Sequence, residues 1–269
     1  MKDSSKLTLN YFPPSRVLQP FIKCYYILEG DFGRKTRDVF FADGCIEMIF
    51  NFDVDFYRNG KKEYWAKVIG QITEPLEVMA VGKGKCFGIW FHPHGFSNFS
   101  NIPVGHFTDK AIQLNDFFEA PFLSRIQELN FKGDVNQLIT FINAFFERKL
   151  VAHTYEPKNK LLEFAMSKLT SETPLDISIL CDELNISRRY LELIFAEKIG
   201  LSPKLFQRIL KFQKALSEVK ANRQKLTEIA YEFNYFDQPH FIREFKKFTD
   251  ELPSHYSKRQ NPISCLFLI

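Results

Sequence analysis

One pattern of about thirty residues occurs twice within the last hundred positions of this 269-residue chain. The first copy, L-D-I-S-I-L-C-D-E-L-N-I-S-R-R-Y-L-E-L-I-F-A-E-K-I-G-L-S-P-K-L-F, runs from Leu175 to Phe206. The second, L-T-E-I-A-Y-E-F-N-Y-F-D-Q-P-H-F-I-R-E-F-K-K-F-T-D-E-L-P-S-H-Y, runs from Leu226 to Tyr256. Each reads as a short amphipathic helix, a tight turn around Asn185 or Asn234, and a second helix with a basic outer face. That order of elements is a helix-turn-helix, and two in tandem point to double-stranded DNA.

In the first unit Ser187 follows the turn, where its hydroxyl caps the second helix by satisfying free backbone N–H groups. Leu191, Ile194 and Phe195 fall on one face of that helix, and Arg189, Glu192, Leu193 and Ala196 on the other. In the second unit Asp237 takes the cap. Phe241, Phe245 and Phe248 form the inward stripe, while Pro239, Arg243, Lys246 and part of His240 face outward. Pro239 sits in the first turn, where its missing N–H costs nothing. Arginine at the start of a recognition helix grips guanine O6 and N7 with two hydrogen bonds, and glutamate accepts from cytosine N4.

The segment from about Glu156 to Lys258 resembles the DNA-binding domain of the AraC-type (AraC/XylS) transcriptional regulators. Ala230, the Phe241–Arg243–Phe245 cluster and Pro253 carry the likeness in the second unit; Ser187, Leu191, Phe195, Gly200 and Pro203 carry it in the first. Three positions depart from the family pattern. Cys181 replaces a small alanine, Asn234 stands where glycine is usual, and Leu193 replaces a polar or basic base-contacting residue. Asparagine tolerates the left-handed backbone such a turn needs, and leucine suits a thymine methyl. The resemblance implies that two recognition helices enter successive major-groove segments, about 34 Å apart, with a linking helix over Pro203–Lys220 setting their register. By position, the base-reading candidates are Arg188, Arg189 and Glu192, then Gln238, His240 and Arg243. The caps Ser187 and Asp237 belong to the same DNA-binding set. Lys204, Lys246 and Lys258 suit phosphate, which positions without specifying.

Net charge is +4, of which +3 lies from Glu156 onward. So small an excess does not itself announce nucleic acid; the placement of Arg and Lys does. The five cysteines are odd in number and widely spaced, as expected of reduced thiols rather than a disulfide frame or zinc site. The N-terminal residues lack a signal-peptide run, and no stretch approaches 18 consecutive apolar residues, so a cytoplasmic protein is expected.

Ahead of the repeat, short apolar runs alternate with turn signals: Cys24–Leu28, Val39–Phe41, Ile46–Phe52, Tyr64–Ile72, Leu76–Ala80 and Cys86–Phe91. Strands of this spacing predict a β-barrel or sandwich, and C-I-E-M-I-F-N-F is apolar enough on both faces for an inner strand. Leu114–Leu129 and Val135–Leu150 then show helical periodicity, either covering the barrel or pairing with a second copy. The expected class is α+β in two domains. Residues 1–151 form a β-rich effector-binding or oligomerisation domain with two closing helices, 152–160 a linker, and 161–260 the DNA-binding domain with units at about 175–199 and 226–248. Residues 261–269 form an apolar tail expected to pack on the body. The N-terminal half also resembles the β-rich domain often found on AraC-type regulators, through Y-F-P-P-S-R-V-L-Q-P-F-I, F-F-A-D-G-C-I-E-M-I-F-N-F and F-G-I-W-F-H-P-H-G-F-S-N-F. It implies a sensor or oligomerisation module, hence a small-molecule effector, a homodimer, and RNA polymerase as partner if the regulator activates.

His92-Pro93-His94 on a strand would put two imidazoles on one face, as metal ligands stand in cupins, and otherwise reads as a strand end with two surface histidines. A cupin adds a nearby glutamate, and His94 is followed by Gly95, Phe96, Ser97, Asn98 and Phe99. No metal, cofactor or catalytic residue is assigned. Asp53 and Asp55 read as turn residues after a strand, and no nucleophile elbow, P-loop or dinucleotide fingerprint is present. The expected function is a sequence-specific transcription regulator and not an enzyme. Alternatives are a ligand-independent regulator controlled by abundance, and a cupin-like metal enzyme fused to a DNA reader.

Overall fold

Alternation along one strand, Ile46–Phe52, divides the N-terminal half into two cores. The computed structural model describes residues 7–33, 36–152, 157–171 and 174–258. Its strands are β1 (Thr8–Phe12), β2 (Ile22–Asp31), β3 (Thr36–Phe40), β4 (Ile46–Phe52), β5 (Asp55–Arg58), β6 (Lys61–Lys62), β7 (Ala66–Ile69), β8 (Leu76–Val81), β9 (Lys83–Phe91) and β10 (Ala111–Gln113). They form a six-stranded sheet, β1-β2-β9-β4-β7-β10, and a four-stranded sheet, β3-β8-β5-β6, with antiparallel pairing throughout. Because successive side chains point to opposite faces, Ile46, Met48 and Phe50 meet one core and Glu47, Ile49 and Asn51 face the other.

The first core lies against two helices, α1 (Ala120–Lys132) and α2 (Val135–Ala152). Phe122, Ile126, Leu138, Ile142 and Phe146 bury there against Phe50, Phe87 and Phe91. The helices therefore cover the sheet, the first of the two roles their periodicity allowed. The second core, with Tyr26, Leu28, Phe56 and Cys86, lies between the sheets. As expected, β4 is an inner strand, with β9 and β7 on either side. Its cavity-side face is more polar than the apolar reading implied, because Glu47 and Asn51 stand there.

Some boundaries differ from expectation. Tyr64–Ile72 contracts to Ala66–Ile69, and Asp55 opens β5 while Asp53 sits in a turn at φ 60°. The helix expected from Leu114 begins only at Ala120, after a 3₁₀ turn at Leu114–Asp116, since Pro121 is tolerated only in a first turn.

The remaining helices are α3 (Pro157–Leu169), α4 (Ile177–Leu184), α5 (Arg188–Lys198), α6 (Pro203–Ala221), α7 (Leu226–Glu232), α8 (Gln238–Thr249) and α9 (Pro253–Tyr256). The stretch 152–160, read as a linker, lies partly outside the described residues and partly within α3. The apolar tail, 261–269, lies wholly outside them.

The two halves are joined by side chains. Phe41 and Ala42, from the turn after β3, bury in the helical core, and the Phe41 ring meets Tyr256 edge-on at 5.6 Å. Burying a phenylalanine contributes about 1.5–3 kcal/mol. Gln213 of α6 donates to the Ala42 carbonyl at 2.5 Å, and Thr108 donates to the Gly200 carbonyl at 2.7 Å. At Gly105 a Cβ would stand 2.8 Å from the Ala196 carbonyl oxygen, so only glycine lets this loop reach α5.

Candidate nucleic-acid interface

Each helix-turn-helix turn is built by a left-handed asparagine: Asn185 at φ 51° and Asn234 at φ 53°. Ser187 then caps α5 by accepting from the Tyr190 N–H at 3.2 Å, and Asp237 caps α8 by accepting from the His240 N–H at 2.6 Å. Leu191, Ile194 and Phe195 are buried under α5, and Phe241, Phe245 and Phe248 under α8. The opposite faces are left to solvent. Arg188, Arg189, Glu192, Arg243, Lys204, Lys246 and Lys258 are all exposed, and Gln238 and His240 are half-buried.

Their side chains are not equally available. Arg188 Nε pairs with Glu192 Oε1 at 3.1 Å, so two base-reading candidates neutralise each other across one helical turn. Gln238 Oε1 accepts from the Thr227 hydroxyl at 2.7 Å, which fixes the amide and leaves its NH₂ to donate outward. His240 Nδ1 accepts from the Phe236 N–H at 3.3 Å while Nε2 lies 3.7 Å from Glu244. Arg189 and Arg243 make no ion pair among the described residues.

The 19-residue α6 holds both units. Gln207 donates to the Leu175 carbonyl at 2.8 Å, anchoring the entry to the first. Lys211 Nζ donates to the Asn234 carbonyl at 2.8 Å and lies 3.8 Å from the Tyr235 ring centroid, anchoring the second. Arg208 reaches Glu244 on α8 at 3.4 Å. At 1.5 Å per residue α6 is about 28 Å long, close to the scale of one groove repeat.

Exposed apolar residues also lie beside these faces, the most open being Leu193 on α5 (58% exposed), and Tyr231 and Phe236 flanking the second turn (87% and 91%). Leu193 was expected outward. Tyr231 and Phe236 fall inside the repeated pattern, and the aromatic next to the capping Asp237 is the signal that marks Phe236.

A cavity of about 100 Å³ lies between the two sheets, with Gln213 and Leu216 of α6 in its lining. Its walls are apolar, with Phe40, Phe56, Leu76 and Val78 from the small sheet. Lys67 and Glu63 form an ion pair in its lining at 2.5 Å, with side chains 2% and 7% exposed. The Tyr26 hydroxyl donates to Glu47 at 3.3 Å. Burial, followed by repulsion from Asp43, pushes the Glu47 carboxyl up to about 8.

His92 and His94 stand near α3 beside Pro20, Glu163 and Met166. Burial and then the neighbouring His92 lower His94 to about 4. Among the described residues no three His, Cys, Asp or Glu side chains converge as a metal site would require, and no helix is long and apolar enough to cross a membrane.

A helix-turn-helix domain model matches residues 180–259, and a domain of unknown function (DUF6597) matches residues 10–113. The chain is 30% identical over 103 residues to an uncharacterized HTH-type transcriptional regulator of Haemophilus influenzae, covering 38% of this chain and 35% of that protein. It is 29% identical over 98 residues to the F1 operon positive regulatory protein of Yersinia pestis, covering 36% and 32%. The chain thus spans about a third of the length of these curated relatives. Among solved structures, ToxT from Vibrio cholerae O395 aligns over 83% of this chain and 95% of its own, at 14% identity and a TM-score of 0.43.

Proposed function

We propose that the chain is a sequence-specific, DNA-binding transcription regulator of the AraC type, reading DNA through the helix-turn-helix domain matched over residues 180–259 and carrying out no reaction of its own. The observation that carries this reading is the pair of recognition helices, α5 and α8, which expose their outer faces in two units each hydrogen-bonded to one linking helix of about groove-repeat length, at the Leu175 carbonyl in the first and the Asn234 carbonyl in the second. Arg189 and Arg243 read bases, and Gln238 donates its fixed amide to one. Arg188 and Glu192 share a contact, opening their ion pair when a guanine or cytosine edge competes for them. Leu193 meets a thymine methyl. Lys204, Lys246 and Lys258 neutralise phosphates, and Ser187 and Asp237 hold the helix starts that approach the backbone. His240 positions Glu244 and the Phe236 N–H more than it reads.

The cavity between the sheets holds a small effector, because two of its wall residues belong to α6. An occupant that moves Gln213 or Leu216 moves the helix that spaces the two units. Pairing of two copies, contact with RNA polymerase where the regulator activates, and a cytoplasmic location extend the same reading.

Selection of bound sequences from a random DNA pool tests it. The expected product is a site with two blocks about one helical turn apart. Enrichment without a consensus would leave only phosphate binding and end the claim of sequence reading.

A further inference from the structure

We infer that the inter-sheet cavity is built for a small organic cation, a primary amine or amidine on a compact apolar group. This inference rests on the effector reading above and names the chemistry of its ligand.

The polar groups of the lining are unbalanced in one direction. Asp43, Glu47 and Glu63 are three carboxylates facing the single ammonium of Lys67. Lys67 is matched by Glu63 at 2.5 Å, so an incoming anion finds no unspent positive charge in the wall. Glu47 accepts one hydrogen bond, from the Tyr26 hydroxyl at 3.3 Å, and feels Lys67 and Lys23 only as lesser charges beside its burial. Asp43 accepts from the Cys45 N–H at 2.9 Å and the Trp90 indole at 3.2 Å, both neutral donors. Burial keeps the Glu47 carboxyl protonated up to about pH 8; a cationic ligand beside it favours the carboxylate, which gives up that proton as the cation binds.

Two buried lining atoms have no hydrogen-bond partner among the described residues: Asn51 Oδ1, on a residue 8% exposed, and Glu63 Oε1. Both are acceptors. The cavity therefore asks for N–H or O–H groups, and its carboxylates select those that carry charge. The apolar rings and branched chains opposite accommodate the rest of the molecule. Size sets the limit: a cavity near 150 Å³ admits a benzene ring, so about 100 Å³ suits a smaller molecule, an alkyl amine of about three carbons.

Propylamine, propan-1-ol and propionate, which are close in size and differ in head group, form the test on the full chain. Binding is followed by calorimetry and thermal shift, and operator affinity is measured with and without each compound. The amine is expected to bind at least tenfold more tightly than the alcohol or the carboxylate. Glu47→Gln and Asn51→Leu, both close in shape to the parent, are each expected to weaken the amine tenfold or more while the chain still melts cooperatively. Equal binding of the alcohol or carboxylate, or amine binding that both variants retain, would overturn the cation assignment. The effector reading then still stands if operator affinity responds to the occupant. Amine binding that obeys both variants but leaves operator affinity unmoved supports the cation site and ends the effector reading. No binding of any of the three at tens of millimolar would overturn both.

Discussion

Replacing Arg243 by alanine separates DNA reading from folding. Arg243 lies on the exposed face of α8, makes no ion pair or hydrogen bond among the described residues, and sits opposite the buried Phe241 and Phe245. Its removal leaves no buried group unpaired and opens no cavity, so stability should change by no more than about 0.5 kcal/mol. In a chain of this size that is a melting shift of under roughly 2 °C. A bidentate contact to guanine discriminates by about 1–3 kcal/mol, roughly a 5- to 150-fold loss of affinity. The assay is titration of a selected site and of scrambled DNA over a range of salt, for the parent and the variant. The expected result is a loss confined to the selected site, relaxed preference at one base pair, and an unchanged salt slope. An equal loss on both DNAs, with the slope reduced by about 1, would mean that Arg243 meets only phosphate. No loss on either would refute the placement of this face of α8 in the groove.

Three other perturbations test the scaffold. Gly105→Ala puts a methyl 2.8 Å from the Ala196 carbonyl oxygen and should cost about 1–3 kcal/mol; an unchanged melting temperature would mean that the loop does not press on α5. Lys211→Met removes a donor to the Asn234 carbonyl and a cation over Tyr235. After discounting for partial exposure it should cost about 1–2 kcal/mol in urea unfolding, and affinity at the second unit's half of the site should fall with it. Glu47 has its folded pKa raised to about 8, above the ordinary value of about 4.3. The native state then holds the proton more firmly than the unfolded chain, so this group's contribution falls as pH rises from about 4 to 8 and levels off beyond. Glu47→Gln should therefore gain on the parent by a few kcal/mol between pH 5 and pH 8, and melting curves that stay parallel across that range would contradict it.

The helical repeat was legible because its signals are local. Asn185 and Asn234 were readable as turn residues, Ser187 and Asp237 as caps, and the Phe241–Phe245–Phe248 stripe as a buried face, each from neighbours within one or two helical turns. The inner strand β4 was legible for the same reason. The short strands β1, β5, β6 and β10 were not, since two to five residues carry too little alternation and owe their conformation to the partner they pair with. The cavity was hidden for a different reason. Glu47, Asn51 and Lys67 look like scattered polar residues in apolar runs until pairing of β4 with β7 puts them on one face. Phe41 meets Tyr256 from 215 positions away, and nothing in A-D-G announces that contact.

The linking helix α6 answers to three masters: Gln207 to the first unit, Lys211 to the second and Gln213 to the Ala42 turn. A rod of about 28 Å pivoted by 5° moves its far end by roughly 2.5 Å, a large fraction of the 3.4 Å rise of one base pair. Were an occupant of the cavity to tilt this lever, operators of unequal spacing would respond to it differently, and one protein would sort its promoters by length.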